Sequence, residues 1–227
     1  IEDDLGVRSA FYFLSEQRLF GDRPPREWLT TDGWRLFAGR YSLDDRRIRS
    51  LISELDAGGW EVGLHGSYES PTDRERLATE KRAVERVLGE PVRGGRQHYL
   101  RLSVPETWNH HRAIGLDYDC SPGSAERYGF EHGYEIKRPF DDSFVVFPLT
   151  LMELALPNVE TDPEEAWREC EQLLAEAADN GAAMTVLWHP RFFSDLDFPN
   201  YAELYRRLIE RARELGGWVG PPGEYYD

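Results

Sequence analysis

Residues 58–70, Gly58-Gly59-Trp60-Glu61-Val62-Gly63-Leu64-His65-Gly66-Ser67-Tyr68-Glu69-Ser70, decide how the chain is read. The paired glycines stop a helix, because glycine takes the left-handed backbone of a helix end without a Cβ penalty. Trp60, Val62 and Leu64 then alternate with Glu61 and Gly63, the period of two that marks a strand. His65 falls where that strand runs out, and a polar loop follows it to Ser70. In an α/β sheet the carboxyl ends of the strands are where ligands bind and chemistry is done. An imidazole there can ligate a metal, act as a base, touch a sugar, or pack as an ordinary loop residue.

Working outward, residues 1–6 read as the last turn of a helix closed by Gly6, and Val7–Leu14 as an apolar, aromatic-rich strand. That strand, directly behind a helix end, implies an earlier β-α unit. The chain has no Met at its start, so the natural N-terminus is expected further upstream. Residues 15–41, with Gly21, Pro24-Pro25, Gly33 and Gly39, read as a long binding-loop insertion. Ser42 is expected to cap a helix over Leu43–Ala57, and Thr72 or Asp73 one that runs to Leu88. The second helix would bury Leu77, Val84, Val87 and Leu88 and keep Glu80 and Lys81 on a solvated face. Val92–Tyr99 and Leu116–Ser121 read as strands, with a helix over Pro105–Ile114 between them. That helix carries His110-His111, taken as surface residues because neighbours on a helix face different ways. Phe144 to Glu153 reads as one strand. A helix from Pro163 to Gly181 follows, capped by Asp162, with Cys170 as packing. Met184–Trp188 is a buried strand ending in His189-Pro190, Pro199–Leu215 the last helix, and Trp218-Val219 a final short strand. Strand and helix alternate nearly throughout, which predicts an α/β fold with a mostly parallel sheet in a single domain over 1–227. With its first β-α unit missing, this reads as an irregular (β/α) barrel of about seven strands.

The net charge is -15, with 42 acidic against 27 basic residues, which argues against nucleic-acid or anionic-membrane partners. Only Lys81 and Lys137 are lysines, a composition that fits a salt-loving or GC-rich prokaryotic source. Cys120 and Cys170 are too few for a disulfide framework. No run approaches the roughly 20 apolar residues of a membrane span, and the acidic start is not a signal peptide. Cytoplasmic localisation is the expectation.

Several predicted strand ends bring polar residues to one rim: His65, then Arg96 and His98, then His189, with Asp119 near the end of another strand. Imidazoles and a guanidinium suit acyl or metal chemistry.

G-V-R-S-A-F-Y-F-L, the G-G-W-E-V-G-L-H-G-S stretch and the late L-W-H-P resemble, in the same order, segments of the polysaccharide deacetylase (NodB-homology) family. The resemblance covers nearly the whole chain. G-G-R-Q-H-Y-L-R with Y-D-C-S looks like a divergent prokaryotic subgroup. The resemblance implies an irregular (β/α) barrel that hydrolyses acetyl groups, N-acetyl most of all, from a carbohydrate or glycan precursor with a divalent metal such as Zn. It implies that His65 is a metal ligand, that His189 is the general acid, and that Arg96 holds the catalytic aspartate. His98 and Asp119 join the candidate catalytic set, and Tyr68, Trp108 and Trp188 the substrate contacts. Trp28 and Trp34 would extend an aromatic rim. Two departures stand out. The family's Asp pair would lie upstream of Val7, and Glu69 stands where the family's H-[S/T]-x-x-H has its second histidine. Glu69 is therefore the second candidate ligand, with His98 as a substitute. A non-catalytic glycan-binding relative is the alternative, and a glycosidase using Asp119, Glu153 or Glu69 a weaker third reading.

Overall fold

The chain folds as strand and helix in alternation because each predicted helix carries its own start and stop signals. The computed structural model describes residues 1–15, 26, 29–30 and 41–226. The 15–41 insertion, with Trp28 and Trp34, lies almost wholly outside the described residues. Helix α1 (Glu2–Leu5) closes on Gly6 at φ 63, as expected. Strand β1 spans Ala10–Leu14. Helix α2 (Arg46–Ala57) starts later than Ser42 suggests, because Asp45 is the cap and its carboxylate accepts from the Arg47 N–H at 2.8 Å. Ser42 instead accepts from the Asp44 N–H in a preceding turn. Strand β2 (Glu61–Gly66) is followed by α3 (Arg74–Leu88), capped by Asp73. Strand β3 (Gly94–Gln97), a 3-10 turn at His98–Leu100, α4 (Glu106–Ala113) and β4 (Tyr118–Asp119) come next.

The predicted Phe144–Glu153 strand is in fact two, β5 (Val145–Val146) and β6 (Leu149–Met152). Pro148 between them has no N–H to give a ladder, and the chain changes sheet there. After β6 come α5 (Pro163–Asn180), β7 (Thr185–Leu187), α6 (Tyr201–Glu214) and α7 (Pro222–Tyr226). Trp218-Val219 is not a strand. The chain there runs into α7, whose Gly223 N–H bonds to the Glu61 carboxylate at 2.9 Å.

Strands β1 to β5 form one parallel sheet in chain order, and β6 pairs β7 in a second parallel sheet. Adding each strand beside its predecessor is the progression of a β/α barrel, not of a doubly wound sheet. Phe11, Phe13, Val62 and Leu64 pack on α2 and α3 through Ile52, Leu77 and Val84. Successive residues of a strand face opposite ways, so Tyr12, Glu61, Gly63 and His65 lie on the other, inner face. Tyr118 and Cys120 share that face with Tyr12, and the Tyr118 hydroxyl donates to Glu61. Gly63 and Gly94 make room for these rings, since a Cβ at either position would enter Tyr12 or Tyr118. A second core lies between α5, α6 and β6, and Cys170 is packed in it.

One expectation about α3 fails. Glu80 and Lys81 are buried, at 5% and 7% exposure, not solvated. Glu80 accepts from both the N–H and the hydroxyl of Ser67, which ties α3 to the loop after β2. Lys81 pairs with Glu85 one turn on. Among the described residues, no helix is long and apolar enough to cross a membrane.

Candidate active site at the strand ends

Parallel register sets the site. His65 pairs with Leu14 on one side and Arg96 on the other, so the ends of β1, β2 and β3 are level. His65 Nδ1 lies 2.9 Å from the Arg96 carbonyl oxygen. A carbonyl only accepts, so Nδ1 carries the proton and Nε2 of the neutral ring keeps its lone pair. Burial above all, then the charges of His98, Arg96 and His189, lower the His65 pKa to about 3 against a partial opposing effect of the carbonyl bond. The ring is therefore neutral at ordinary pH. The His98 ring stands edge-on to it, with centroids 5.0 Å apart.

Arg96 is buried at 6% exposure. Its Nε donates to the Cys120 carbonyl at 2.8 Å and its guanidinium lies 5.4 Å from the Tyr12 ring centre. No carboxylate among the described residues forms an ion pair with it. Burial pushes the Cys120 thiol up to about 12, so it is not a nucleophile in this state.

His189, just beyond β7, has its Nδ1 2.5 Å from Glu153 Oε1. Glu153 opens the turn directly after β6 and is fully buried, while the His189 side chain is 41% exposed. The second oxygen, Glu153 Oε2, has no hydrogen-bond partner among the described residues. The β6–β7 register, with Met152 opposite Leu187, brings the two side chains together. Sequence reasoning took Glu153 only as a loose glycosidase carboxylate. The usable signal was an acid one residue beyond a strand that neighbours the strand of His189.

Asp119 does not join this group. It alternates with Tyr118 and Cys120, so it points away from the inner face toward α4. It accepts from Trp108 Nε1 at 3.0 Å and from the Ser121 hydroxyl at 2.5 Å, and His111 Nδ1 is 3.7 Å away. Trp108, a predicted substrate contact, thus spends its N–H inside the fold. His111, expected at the surface, is 1% exposed. Gln97 donates to His111 Nε2 at 2.8 Å, accepts from Ser70, and is held through its backbone N–H by Ser121. This buried chain fastens the loops after β2, β3 and β4 behind the rim. Trp188 packs between Tyr201 and Tyr205 of α6, on the core side of β7. Tyr68 stands at the rim, edge-on to Tyr99 at 5.7 Å and covered by Arg101, 4.0 Å from its ring centre. Glu69 is exposed and pairs with Arg101 at 3.6 Å.

Burial lowers the His111 pKa too, partly opposed by Asp119. Both imidazoles titrate near 6.5 in the unfolded chain and lower in the folded one. Below about pH 6.5 the unfolded state therefore binds more protons, and stability falls as pH drops from there toward 3. Urea titrations of metal-free protein between pH 7.5 and 4 should show this fall, and His65→Gln should make it shallower.

No family model matches the chain, and no curated protein matches it in sequence. Solved structures do. A Mycobacterium smegmatis protein assigned to the polysaccharide deacetylases superposes with a TM-score of 0.66 at 18% identity, over 99% of this chain and 72% of that one. A CE4 family pseudoenzyme from Bacillus anthracis superposes with a TM-score of 0.51 at 12% identity, over 100% of this chain and 58% of that one. A mutant of that pseudoenzyme with restored enzymatic activity matches with a TM-score of 0.51 at 13% identity, over 60% of its length. The chain thus spans less than two thirds of the pseudoenzyme structures it resembles. A mostly parallel sheet wound in chain order makes this an α/β protein. Its fold matches that of the CE4 polysaccharide deacetylase structures.

Proposed function

We propose that the protein is a metal-dependent deacetylase that hydrolyses acetyl groups, N-acetyl most of all, on a carbohydrate or glycan precursor. The observation that carries this reading is the His189–Glu153 pair, a buried carboxylate holding an exposed imidazole whose charge bears on His65. Glu153 takes the Nδ1 proton as a hydrogen bond and leaves Nε2 toward the rim. With Nδ1 engaged by the carboxylate, Nε2 is the nitrogen left to deliver a proton to a leaving amine nitrogen. The buried Arg96 charge favours an anion, such as a carboxylate base, beside the inner face.

The metal has to be tested against the residues present. His65 offers a neutral Nε2 and His98 a second imidazole beside it, and both are nitrogen donors suited to Zn. Glu69 is turned to Arg101 and does not fit. Among the described residues no group of three His, Cys, Asp or Glu side chains is placed to hold an ion, and two histidines alone fall short of the three protein donors of a catalytic zinc site. A divalent cation at that point would polarise the acetyl carbonyl and lower the pKa of a bound water.

The negative charge favours a neutral or cationic glycan over nucleic acid as partner. The two free, buried cysteines fit a reducing, cytoplasmic setting. Acetate release from a panel of N- and O-acetylated sugars and oligosaccharides, with added Zn²⁺ and with chelator, tests the reading. Metal-dependent release supports it. Saturable glycan binding with no release would favour a non-catalytic relative, a reading that the diversion of Glu69 to Arg101 supports.

A further inference from the structure

We propose that Tyr99 and Tyr68, with the Arg101–Glu69 pair at their edge, form a binding subsite for an outer sugar unit, so that the ligand is a glycan of two or more units and not a single sugar. This rests on the carbohydrate reading above. His65, His98, Tyr99 and Tyr68 meet ring to ring in succession. The His98 centroid is 5.0 Å from that of His65, Tyr99 is 4.5 Å from His98, and Tyr68 stands edge-on to Tyr99 at 5.7 Å. The His98 ring is what joins Tyr99 to His65. A sugar ring is about the size of one of these rings, so a unit held at the end of β2 leaves Tyr99 and Tyr68 to the next unit.

Tyr99 is 55% exposed, yet its place is fixed. Tyr99 and Leu100 have φ of 56 and 54, the left-handed region that β-carbon sterics disfavour. The Arg101 N–H closes the turn on the His98 carbonyl at 3.3 Å. Two consecutive non-glycine residues there persist only where the surroundings impose them, and such strain collects at ligand clamps. Its effect is to end β3 at Gln97 and hold an exposed ring between His98 and Tyr68. Arg101 fixes the second ring. Its guanidinium lies 4.0 Å from the Tyr68 ring centre, donates to the Tyr68 carbonyl at 2.5 Å and pairs with Glu69 at 3.6 Å. Both members of that pair are exposed, so N–H donors and carboxylate acceptors stand side by side at the edge of an aromatic surface. A sugar unit has an apolar C–H face and a rim of hydroxyls that donate and accept. The rings suit the face and the ion pair suits the rim. Tyrosine supplies such area at low entropy cost, and rings already held in place reduce the ordering that binding requires. The net charge of -15 disfavours a stacked nucleotide in the same place.

Calorimetric titration with N-acetylglucosamine and its oligomers of two to five units tests this. Wild type, Tyr99→Phe, Tyr99→Ala and Tyr99→Gly are compared after circular dichroism confirms folding. Glycine accepts a φ of 56 without strain, so Tyr99→Gly removes the ring while easing the backbone. In wild type the trimer is expected to bind about tenfold more tightly than the monomer, the scale of one aromatic contact. Tyr99→Phe should keep that gain, and Tyr99→Ala and Tyr99→Gly should lose it. A gain that survives in the folded alanine and glycine variants overturns the subsite, as does equal affinity for monomer and trimer in wild type, or no binding of either. Binding is read apart from turnover, so the two readings fail separately. A length dependence that vanishes with the Tyr99 ring, in a protein that releases no acetate, supports the subsite and counts against the deacetylase. Metal-dependent release with the same kcat/KM on monomer and trimer does the reverse.

Discussion

His189→Ala is expected to lower kcat for acetate release by about 10²–10⁴-fold, the range removed when a positioned acid or base is deleted. Deleting the ring also leaves the fully buried Glu153 carboxylate without its hydrogen-bond partner, which should cost about 1–3 kcal/mol of stability, so turnover is read on protein shown to be folded. The side chain is 41% exposed and its polar contact is the Glu153 carboxylate. Glu153 supplies the stricter test. Glu153→Gln keeps the size of the side chain and an acceptor for Nδ1 but removes a buried charge, one of whose oxygens has no partner among the described residues. A neutral amide in its place keeps the hydrogen bond and removes the cost of burying that charge. Turnover should fall in this variant while the denaturation midpoint holds or rises. A residue that served only packing would show the reverse, with activity kept and stability lost.

Asp119→Ala is expected to cost about 3–5 kcal/mol of stability, the scale seen when one member of a buried charged network is removed. Asp119 is fully buried and accepts from Trp108 of α4 and from Ser121 beyond β4, with His111 close by. Without it, the Trp108 indole N–H and the Ser121 hydroxyl lose their acceptor inside the fold. Urea denaturation reads this directly. Asp119→Asn keeps an acceptor oxygen and should lose less. If Asp119→Ala unfolded at wild-type urea concentration but released no acetate, Asp119 would belong to the chemistry and its place on the α4 side would mislead. The expected pattern is the opposite, a fragile protein whose folded fraction still turns over.

How much of this was legible without coordinates follows from the range of each interaction. Gly58-Gly59, the alternation through Leu64 and the polar loop after His65 are local signals, and β2 with its histidine stands where they put it. Asp162 before Pro163 likewise fixed the start of α5, because a cap acts within one turn. Asp119 could not be read in the same way. Its strand is two residues long and buried on both faces, so nothing in the pattern says which face is inner. His111 and Glu80 were misplaced for a related reason. A polar helix residue is normally solvated, and these are buried because Gln97 at the end of β3 and Ser67 from the loop after β2 supply their hydrogen bonds.

The sequence by itself determined the class of fold, the parallel order of its elements and the placement of His65, Arg96, His98 and His189 at strand ends. Periodicity, caps and breakers act over a few residues, and strand ends of a parallel sheet converge without further instruction. Only the tertiary structure decided which polar residues meet. The partner of His189 is Glu153, 36 residues away, joined to it by β6–β7 register. Glu69 is drawn to Arg101, and His98 comes to rest against His65. Those contacts depend on one-residue parity and on the turn at Tyr99, which no local pattern encodes.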